Sequence, residues 1–375
     1  MQKKIIILTL DITLQGGIER VVSNMANMFE EYTDYKVKII SAFSKFDKPF
    51  YKISPNVDIE YLYKGAPDIS SFWKKIKTNI YNVWNLRKLK EDNNIVISTF
   101  TNMTLWLILL RKHRQYYLIA AEHANYHALS KLVQIGRKHL YKHVDAVVTL
   151  VESEMSFYKP FSKKVVCIPN SLAIFPDAVT HYTSKRVIAA GRAVKEKGFD
   201  RLLYIYNILG EKYKDWSFDL FASDGYLIDQ LKEIHTKSPS NVHLLPPTTK
   251  LLEKMQESDI YVCTSTTESF SMVILEAMSC GVCPVSYDCP SGPRALISDC
   301  KDGYLVELGN EKELIERVSQ LIENEDLRKT IGRNARQKAE YFVPQNVCCQ
   351  WANLINTIDL FRKYENKTHS EENAS

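Results

Sequence analysis

The chain has 375 residues, of which 45% are hydrophobic and 25% are charged, as in a globular protein with a sizeable core. At roughly 100–200 residues per domain, this length predicts two domains. The net charge of +5 is too slight an excess to indicate a nucleic-acid partner. No run approaches the ~18 uninterrupted apolar residues of a membrane-spanning helix.

The first half of the chain alternates continuous apolar runs with helical stretches, a pattern typical of buried parallel strands joined by helices. Helices are predicted over 17–32 and 130–143. The predicted strands cover 4–10, 36–42, 94–100, 116–122, 145–151 and 164–169. Residues 169–185 contain two prolines and no clear periodicity, so they are predicted to form a linker.

A second alternating series follows the linker. Its predicted strands cover 186–192, 217–223, 241–247, 259–265, 281–287 and 303–308. Its predicted helices cover 198–210, 226–236, 250–257 and 271–280. Two such series predict an α/β fold with two doubly wound, Rossmann-like domains over 1–169 and 170–344. A helix is predicted over 345–366 and a disordered tail over 367–375. Ligands bind outside the carboxyl ends of parallel strands, so we expect the site in a cleft between the domains.

Two short motifs follow predicted strands. Gly16 and Gly17 open a helix after the first strand, where free N–H groups favour anions, although such a pair often serves only the turn. Arg192 ends a strand and Lys197 stands just before a helix, a pairing that could clamp a diphosphate or form an ordinary basic loop.

Two glutamates border the most apolar stretch, ESFSMVILEAMSCGVCPV (268–285). Glu268 is predicted in a loop before a helix, and Glu276 lies about a turn and a half into that helix. A buried carboxylate is costly unless it is paired, so both call for an explanation. One reading is a helix cap and a salt bridge. The other is a pair of carboxylates that accept hydrogen bonds from sugar hydroxyls.

The eight cysteines are scattered, mostly in apolar strand or helix contexts, as expected of reduced buried thiols in a cytosol. Cys280 and Cys283 form a C-x-x-C motif, but no further Cys or His pair stands at the spacing of a zinc site. The N-terminus lacks a signal-peptide cleavage pattern. These features favour packing over metal or redox chemistry, and a cytoplasmic location.

Several motifs together resemble the retaining GT-B glycosyltransferases of family 4, the glycosyl transferases of group 1. The stretch 268–285 resembles that family's E-x7-E motif, and GRAVKEKGFDRLL (191–203) its G-R-x-x-x-x-K-G phosphate segment. GGIERVV (16–22) resembles its glycine loop, and CPSGPRALISDCKDGYLV (289–306) the stretch after the E-x7-E helix. The order and spacing agree from about residue 4 to 360.

The resemblance implies roles for four charged residues. Arg192 and Lys197 would neutralise the diphosphate leaving group without a metal, since two cations in a dry cleft can stabilise that charge. Glu276 would bind the ribose hydroxyls and Glu268 the hydroxyls of the transferred sugar. No Asp-x-Asp pair occurs in the chain, so no metal and no other cofactor is expected.

The resemblance also implies roles for neutral groups. Gly16 and Gly17 would lie near the donor phosphates or the acceptor. His123, in EHANYH (122–127), would line the cleft near the reactive face of the sugar, or else make a structural hydrogen bond at a strand end; His127 is the weaker neighbour. The last helix would cross back to the N-terminal domain. Backbone N–H groups at the predicted helix start would bind phosphate and sugar: Phe270, Ser271 and Met272.

The function implied is a metal-independent, retaining hexosyltransferase of bacterial surface-polysaccharide assembly. Its donor would be UDP-galactose, UDP-N-acetylglucosamine or UDP-N-acetylgalactosamine, and its acceptor a lipid-linked, lipopolysaccharide or capsule glycan. The alternatives are a sugar-nucleotide epimerase or phosphorylase of the same fold, and a non-catalytic nucleotide-sugar-binding subunit. Basic residues at 72–90, 111–114 and 136–143 suit either an anionic membrane surface or solvated helix faces. The first would place the protein on the inner face of the cell membrane.

Overall fold

The computed structural model describes residues 3–66, 86, 94–110 and 116–372, with side chains of the last helix described to residue 360. The chain divides into two compact units. Unit 1 comprises residues 1–171 and 344–375, and unit 2 comprises residues 172–343. The predicted basic segments 72–90 and 111–114 lie outside the described residues, apart from Leu86.

Unit 1 is built on a seven-stranded parallel sheet in the order β3-β2-β1-β4-β5-β6-β7. Its strands are β1 (Lys4–Asp11), β2 (Lys36–Phe43), β3 (Asp58–Tyr61), β4 (Ile95–Ser98), β5 (Tyr117–Glu122), β6 (Ala146–Thr149) and β7 (Val165–Cys167). Its first four described helices are α1 (Gly17–Tyr32), α2 (Thr101–Leu110), α3 (Lys131–Leu140) and α4 (Glu152–Tyr158). Strand order reverses between β1 and β4, as in doubly wound folds.

Unit 2 repeats this topology with six parallel strands in the order β10-β9-β8-β11-β12-β13. The strands are β8 (Arg186–Arg192), β9 (Ser217–Ser223), β10 (Val242–Leu245), β11 (Ile260–Cys263), β12 (Cys283–Tyr287) and β13 (Tyr304–Val306). The helices are α5 (Phe199–Lys212), α6 (Ile228–His235), α7 (Leu251–Gln256), α8 (Met272–Ser279), α9 (Gly292–Leu296), α10 (Glu311–Glu323) and α11 (Glu325–Ala339). The predicted α/β class with two doubly wound sheets is confirmed.

The strands are apolar because helices cover both faces of a parallel sheet. Every residue of β4, β5, β6, β11 and β12 is buried. Strand β3 is the exception, since its side chains are half-buried or exposed at the sheet edge. Its sequence, DIEY, carries no apolar run, which is why periodicity did not predict it.

The predicted linker differs from the structure over most of its length. Residues 172–185 pack within unit 2, where Tyr182 is buried. The Asp259 carboxylate accepts hydrogen bonds from Thr180 Oγ1 at 3.1 Å and from the Lys185 backbone N–H at 2.7 Å. A buried carboxylate that collects donors in this way holds an irregular segment in place without helix or strand.

The last helix, α12 (Pro344–Glu372), belongs to unit 1. Trp351 packs edge-on against Phe29 of α1 with ring centroids 5.9 Å apart, and the Tyr117 hydroxyl donates to Asp359 at 2.6 Å. The helix extends past the predicted end at 366, so residues 367–372 of the predicted disordered tail are helical. The sequence beyond 366 has no Pro or Gly to stop it. Among the described residues, no helix combines the length and apolarity needed to cross a membrane.

Candidate functional site

The carboxyl edge of the unit 2 sheet gathers the charged residues that the sequence singled out. Strand order reverses between β8 and β11, and the loops that leave these two strands open the crevice where such sheets bind ligands. Arg192 ends β8 and Lys197 ends a short 3-10 helix at Lys195–Lys197. Glu268 lies in the loop after β11.

Lys197 and Glu268 form an ion pair across this crevice. The Lys197 ammonium lies 2.6 Å from Glu268 Oε1, and Ser265 Oγ donates to the same oxygen at 2.7 Å. Glu268 Oε2 accepts no hydrogen bond from the described residues, so it is available to a ligand. The structure therefore joins two residues that sequence analysis had assigned to separate parts of a donor.

The position of Lys197 is fixed by contacts between the two loops. Thr264 Oγ1 donates to the carbonyls of Lys197 at 2.9 Å and Gly198 at 3.1 Å. Gly198 has φ +62°, and an added Cβ would lie 2.5 Å from the Thr264 carbonyl oxygen, so only glycine fits there. These contacts hold the lysine in place before any ligand binds, as a catalytic cation requires.

The charge state of Lys197 follows from its neighbours. Burial alone would lower the pKa of its ammonium, but the Glu268 carboxylate outweighs burial and the pKa is raised. Arg192 opposes this effect, which shows that its guanidinium lies within electrostatic range of Lys197. Arg192 itself is exposed and makes no side-chain ion pair with the described part of the chain. The crevice thus offers two cations: Lys197, held in an ion pair, and Arg192, exposed and without an ion pair among the described residues.

The Glu268 loop is tied to the loop after β12. The Gly292 N–H donates to the Glu268 carbonyl at 3.0 Å, and Glu268 and Ser291 form an isolated parallel bridge. An added Cβ at Gly292 would lie 2.9 Å from the Phe270 carbonyl carbon, so a larger residue would push these loops apart. Phe270 is buried and packs edge-on against Phe342.

Helix α8 begins with a backbone conformation that non-glycine residues rarely adopt. Ser271 has φ +66° and ψ 75°, and its side chain makes no capping hydrogen bond. The N–H groups of the first turn, from Met272 onward, are therefore not satisfied by a cap. Such a helix start favours an anion, and strained residues of this kind cluster at functional sites.

Glu276 is the fifth residue of α8, and its side chain is buried. The pKa of the buried Tyr261 hydroxyl in β11 is raised by burial first, and then also by Cys263, Glu268 and Glu276. Both glutamates therefore lie within electrostatic range of one hydroxyl. The structure brings the two carboxylates of the E-x7-E motif to the same region of unit 2.

In unit 1, the predicted glycine loop follows β1. Gly16 is the N-terminal cap of α1, and an added Cβ would lie 2.0 Å from Glu19 Oε2. A Cβ at Gly17 would meet nothing within 4 Å, so packing does not explain that glycine. The loop before them is held by Asp11, whose carboxylate accepts from the Thr13 hydroxyl at 2.6 Å and the Lys45 N–H at 2.9 Å.

His123 follows β5 in unit 1 and lines a cavity of about 10 Å³, close to the space that one water molecule needs. Both ring nitrogens are buried, and neither has a hydrogen-bond partner among the described residues. Burial lowers its pKa to about 4, so the imidazole is neutral at physiological pH. A neutral imidazole with two unsatisfied nitrogens suits a hydroxyl group better than a phosphate. His127 is exposed and packs edge-on against Phe157.

A buried ionic network anchors the segment that carries His123. Arg137 of α3 lies 3.4 Å from Glu122 Oε2 and donates to the Tyr158 hydroxyl and the Tyr126 carbonyl, each at 2.7 Å. The Tyr141 hydroxyl also donates to Glu122. Because Glu122 immediately precedes His123, this network fixes where the imidazole lies.

The cysteines are all free, and burial raises the pKa of the Cys280 thiol to about 12. Among the described residues, no group of three or more His, Cys, Asp or Glu side chains is placed to hold a metal ion. The C-x-x-C motif thus has the burial and acidity of packed, unreactive thiols.

Several residues that contact the predicted site residues, or line the cavity beside them, were not predicted from the sequence. Ser265 stands three residues before Glu268, so a loop hydroxyl beside a carboxylate was the available signal. The hydrogen bonds from Thr264 Oγ1 to the carbonyls of Lys197 and Gly198 join distant parts of the chain, and no local sequence pattern indicates them. Asn170 and Ser171, which line the His123 cavity, fell in the predicted linker.

The comparison with protein families decides the identity of unit 2. Residues 173–338 match the family model described as glycosyl transferases group 1.

Unit 2 belongs to the group 1 glycosyltransferases.

Relatives named as glycosyltransferases match nearly the whole length of the chain. It is 26% identical over 369 residues to the amylovoran biosynthesis glycosyltransferase AmsD of Erwinia amylovora, across 94% of this chain and 99% of the relative. It is also 26% identical over 369 residues to a Campylobacter jejuni enzyme, across 96% of this chain and 99% of the relative. That enzyme is named as an alpha-1,4-N-acetyl-D-galactosaminyltransferase acting on a diphospho-undecaprenol-linked glycan.

Solved structures confirm the fold of the transferase. A variant of S. aureus TarM, in complex with fondaparinux, alpha-GlcNAc-glycerol and UDP, superposes with a TM-score of 0.78 at 17% identity. The match covers 95% of this chain and 100% of that chain. At this identity the likeness shows the fold alone, and the predicted GT-B architecture is confirmed.

Proposed function

We propose that this transferase moves a hexosyl or N-acetylhexosaminyl group, with retention of configuration, from a UDP-sugar to a lipid-linked or surface-polysaccharide glycan. The observation that carries the proposal is the ion pair at the carboxyl edge of the unit 2 sheet. There Lys197 is held by Glu268 and lies within electrostatic range of the exposed Arg192. The named activity of the Campylobacter relative supports the N-acetylhexosaminyl donor and the lipid-linked acceptor.

The two cations act on the leaving group. When the bond from the sugar C1 to the β-phosphate oxygen breaks, negative charge develops on the diphosphate. Lys197 is already oriented, so it stabilises that charge with little reorganisation, and Arg192 adds a second positive charge. The uncapped start of α8 contributes N–H groups to the same anion. Together they would supply the charge stabilisation that other transferases take from a metal.

The two carboxylates select hydroxyl groups. Glu268 already accepts from Lys197 and Ser265 through Oε1, which leaves Oε2 for a hydroxyl of the transferred sugar. Glu276 would accept from the ribose hydroxyls. His123, whose imidazole is neutral and whose ring nitrogens have no partner among the described residues, is the proposed partner of a sugar hydroxyl.

The proposed step conserves configuration without a covalent intermediate. The acceptor oxygen bonds to C1 on the face from which the diphosphate leaves, and the acceptor proton passes to the departing phosphate. We assign Glu268 no nucleophilic role, because its Oε1 accepts from an ammonium and a hydroxyl and its Oε2 is the proposed acceptor for a sugar hydroxyl. Its role is to bind and to hold Lys197.

A donor panel tests the proposal. Purified protein is incubated with UDP-galactose, UDP-N-acetylglucosamine, UDP-N-acetylgalactosamine, UDP-glucose or GDP-mannose. The melting temperature and the release of nucleotide diphosphate are then measured, with and without EDTA. We expect one of the first three donors to raise the melting temperature and to be hydrolysed slowly, with no effect of EDTA.

Other outcomes would contradict the proposal in distinct ways. Stabilisation without any release of UDP, even with a glycan acceptor present, would indicate a non-catalytic binding subunit. Conversion of one UDP-sugar into another would indicate an epimerase. No response to any of the five donors would remove the support for a nucleotide-sugar transferase.

A further inference from the structure

Two packed helices of unit 1 expose large apolar side chains on one continuous face. Leu132 is 82% exposed and Leu109 is 61% exposed, and Ile135 and Trp106 are exposed beside them. We call the surface formed by Trp106, Leu109, Leu132 and Ile135 the α2–α3 face. Contiguous exposed apolar patches on soluble proteins mark interaction sites.

The continuity of this face follows from how the helices pack. An added Cβ at Gly136 of α3 would lie 3.0 Å from Leu105 Cδ1 of α2, so the two helices meet at these residues. Leu109 is one turn from Leu105, and Leu132 is one turn from Gly136. The exposed residues therefore flank the contact line on both helices. Helix α2 is apolar on its exposed side as well as its buried side, which is unusual for a helix that faces water.

The charged side chains of the two helices that form the face are of one sign. Neither Thr101–Leu110 nor Lys131–Leu140 contains an aspartate or a glutamate. Lys131 and Lys138 lie on the exposed side of α3 beside Ile135, and Lys142 is exposed in the turn that follows. Arg137, on the opposite side of the same helix, is buried against Glu122 and does not contribute.

We propose that the α2–α3 face docks on a bilayer that contains anionic phospholipids. An apolar strip with a Trp and a lysine rim matches a membrane interface, where the aromatic ring sits at headgroup level and the lysines meet lipid phosphates. A second copy of this chain fits the face less well. A two-fold interface pairs the same patch with itself, so the lysines of both copies would face each other.

Vesicle binding tests the proposal directly. The full chain is sedimented with vesicles of phosphatidylcholine alone, and with vesicles in which a third of the lipid is phosphatidylglycerol, at low and high salt. We expect stronger binding to the anionic vesicles and weaker binding at high salt. Leu132→Glu should lower the partition coefficient about 10-fold or more. The substitution replaces a leucine that would be buried in the bilayer with a carboxylate that the anionic lipids repel. Lys131→Glu with Lys138→Glu should lower it by at least about 5-fold per lysine.

Matched controls separate the face from general surface effects. Ile174→Glu changes an apolar residue of unit 2 that is 66% exposed, and Lys250→Glu with Lys312→Glu makes the same charge change there. Both controls should bind vesicles like the wild type. All six substituted positions are exposed, so melting temperatures should not change.

Two results would overturn the proposal. One is wild-type binding to anionic vesicles that Leu132→Glu leaves intact. The other is the absence of wild-type binding to vesicles. If, in addition, the wild type were dimeric and Leu132→Glu made it monomeric, the face would be an interface between two copies of the chain. Vesicle binding is measured without nucleotide sugar, so its outcome is independent of the donor panel.

Discussion

Each unit places an ion pair at the carboxyl edge of its sheet, but the two pairs differ in their access to solvent. In unit 1, the side chains of Arg137 and Glu122 are 0% and 2% exposed. In unit 2, those of Lys197 and Glu268 are 23% and 12% exposed. A sealed pair can only hold protein together, whereas a pair that opens on a crevice can exchange contacts with a ligand. Similar topology thus holds one pair sealed in the protein interior and the other open to a crevice, where we propose that it acts in catalysis.

The polar groups beside each pair follow the same division. The unit 1 edge offers a neutral imidazole, His123, which suits a hydroxyl group. The unit 2 edge offers two cations and a helix start, which suit a diphosphate. The predictions below address this contrast, beginning with the largest expected effect.

The sealed pair should be the more costly to break. Arg137→Ala leaves the Glu122 carboxylate buried beside fewer donors, and such a loss destabilises a protein by about 3–5 kcal/mol. Urea unfolding measures the change. The matched control, Arg317→Ala, removes a partly exposed pair with Glu313 and should change the free energy of unfolding by less than about 1 kcal/mol. Equal effects of the two substitutions would contradict a structural role for the Arg137 pair.

The neutral imidazole of unit 1 should make stability depend on pH. The pKa of His123 falls from 6.5 in the unfolded chain to about 4 in the fold. Between those values the unfolded state binds more protons, so stability decreases as the pH falls from 6.5 to 4, by about 3 kcal/mol. His123→Asn should abolish this part of the dependence, and exposed His127→Asn should leave it unchanged. If the wild type, His123→Asn and His127→Asn showed the same change in the free energy of unfolding between pH 4.5 and 7, the lowered pKa of His123 would be refuted.

In unit 2, removing a carboxylate should weaken the binding of the donor. Glu276→Ala removes the proposed charged acceptor for the ribose hydroxyls. A hydrogen bond to a charged group contributes about 1.5–3 kcal/mol, so UDP-sugar binding should weaken roughly 10- to 100-fold. Calorimetric titration measures the dissociation constant, with Glu307→Ala as the exposed control. Unchanged affinity in Glu276→Ala would assign that carboxylate to packing alone.

The partner of Lys197 should set the alkaline limit of activity. With Glu268→Gln, burial and Arg192 remain to lower the pKa of Lys197, while the carboxylate that raised it is gone. The protonated lysine is then lost at lower pH, so the alkaline limb of the kcat profile should move to lower pH. Ser265→Ala keeps the carboxylate and should leave the limb in place. If the alkaline limb did not shift in Glu268→Gln, protonation of Lys197 would not control the rate.

Much of the fold followed from the sequence because buried parallel strands are continuous apolar runs. Strands β1, β8 and β9 begin within one residue of the predicted positions, and α1 matches its predicted bounds. The short edge strand β3 and helix α2 were not predicted. Helix α2, TNMTLWLILL, has no polar face to give a helical period, so its pattern does not separate helix from strand.

The site was less accessible from the sequence because its geometry joins distant segments. Lys197 and Glu268 are 71 positions apart, and only the adjacency of β8 and β11 brings them together. The αL conformation of Ser271 could not be predicted from the sequence, because serine occurs in most backbone conformations. The family motif predicted the site residues, and the packing of distant segments determines how Lys197 and Glu268 contact each other.

The central claim is that Lys197 stabilises the departing diphosphate, and a comparison of two neighbouring lysines tests it most directly. Lys195 belongs to the same 3-10 turn but is exposed, so Lys195→Ala is matched in sequence and in charge. With the best donor and a saturating acceptor, Lys197→Ala should lower kcat by about 10²-fold or more, while Lys195→Ala stays near the wild type. Wild-type turnover in Lys197→Ala, with the variant folded, would contradict the account.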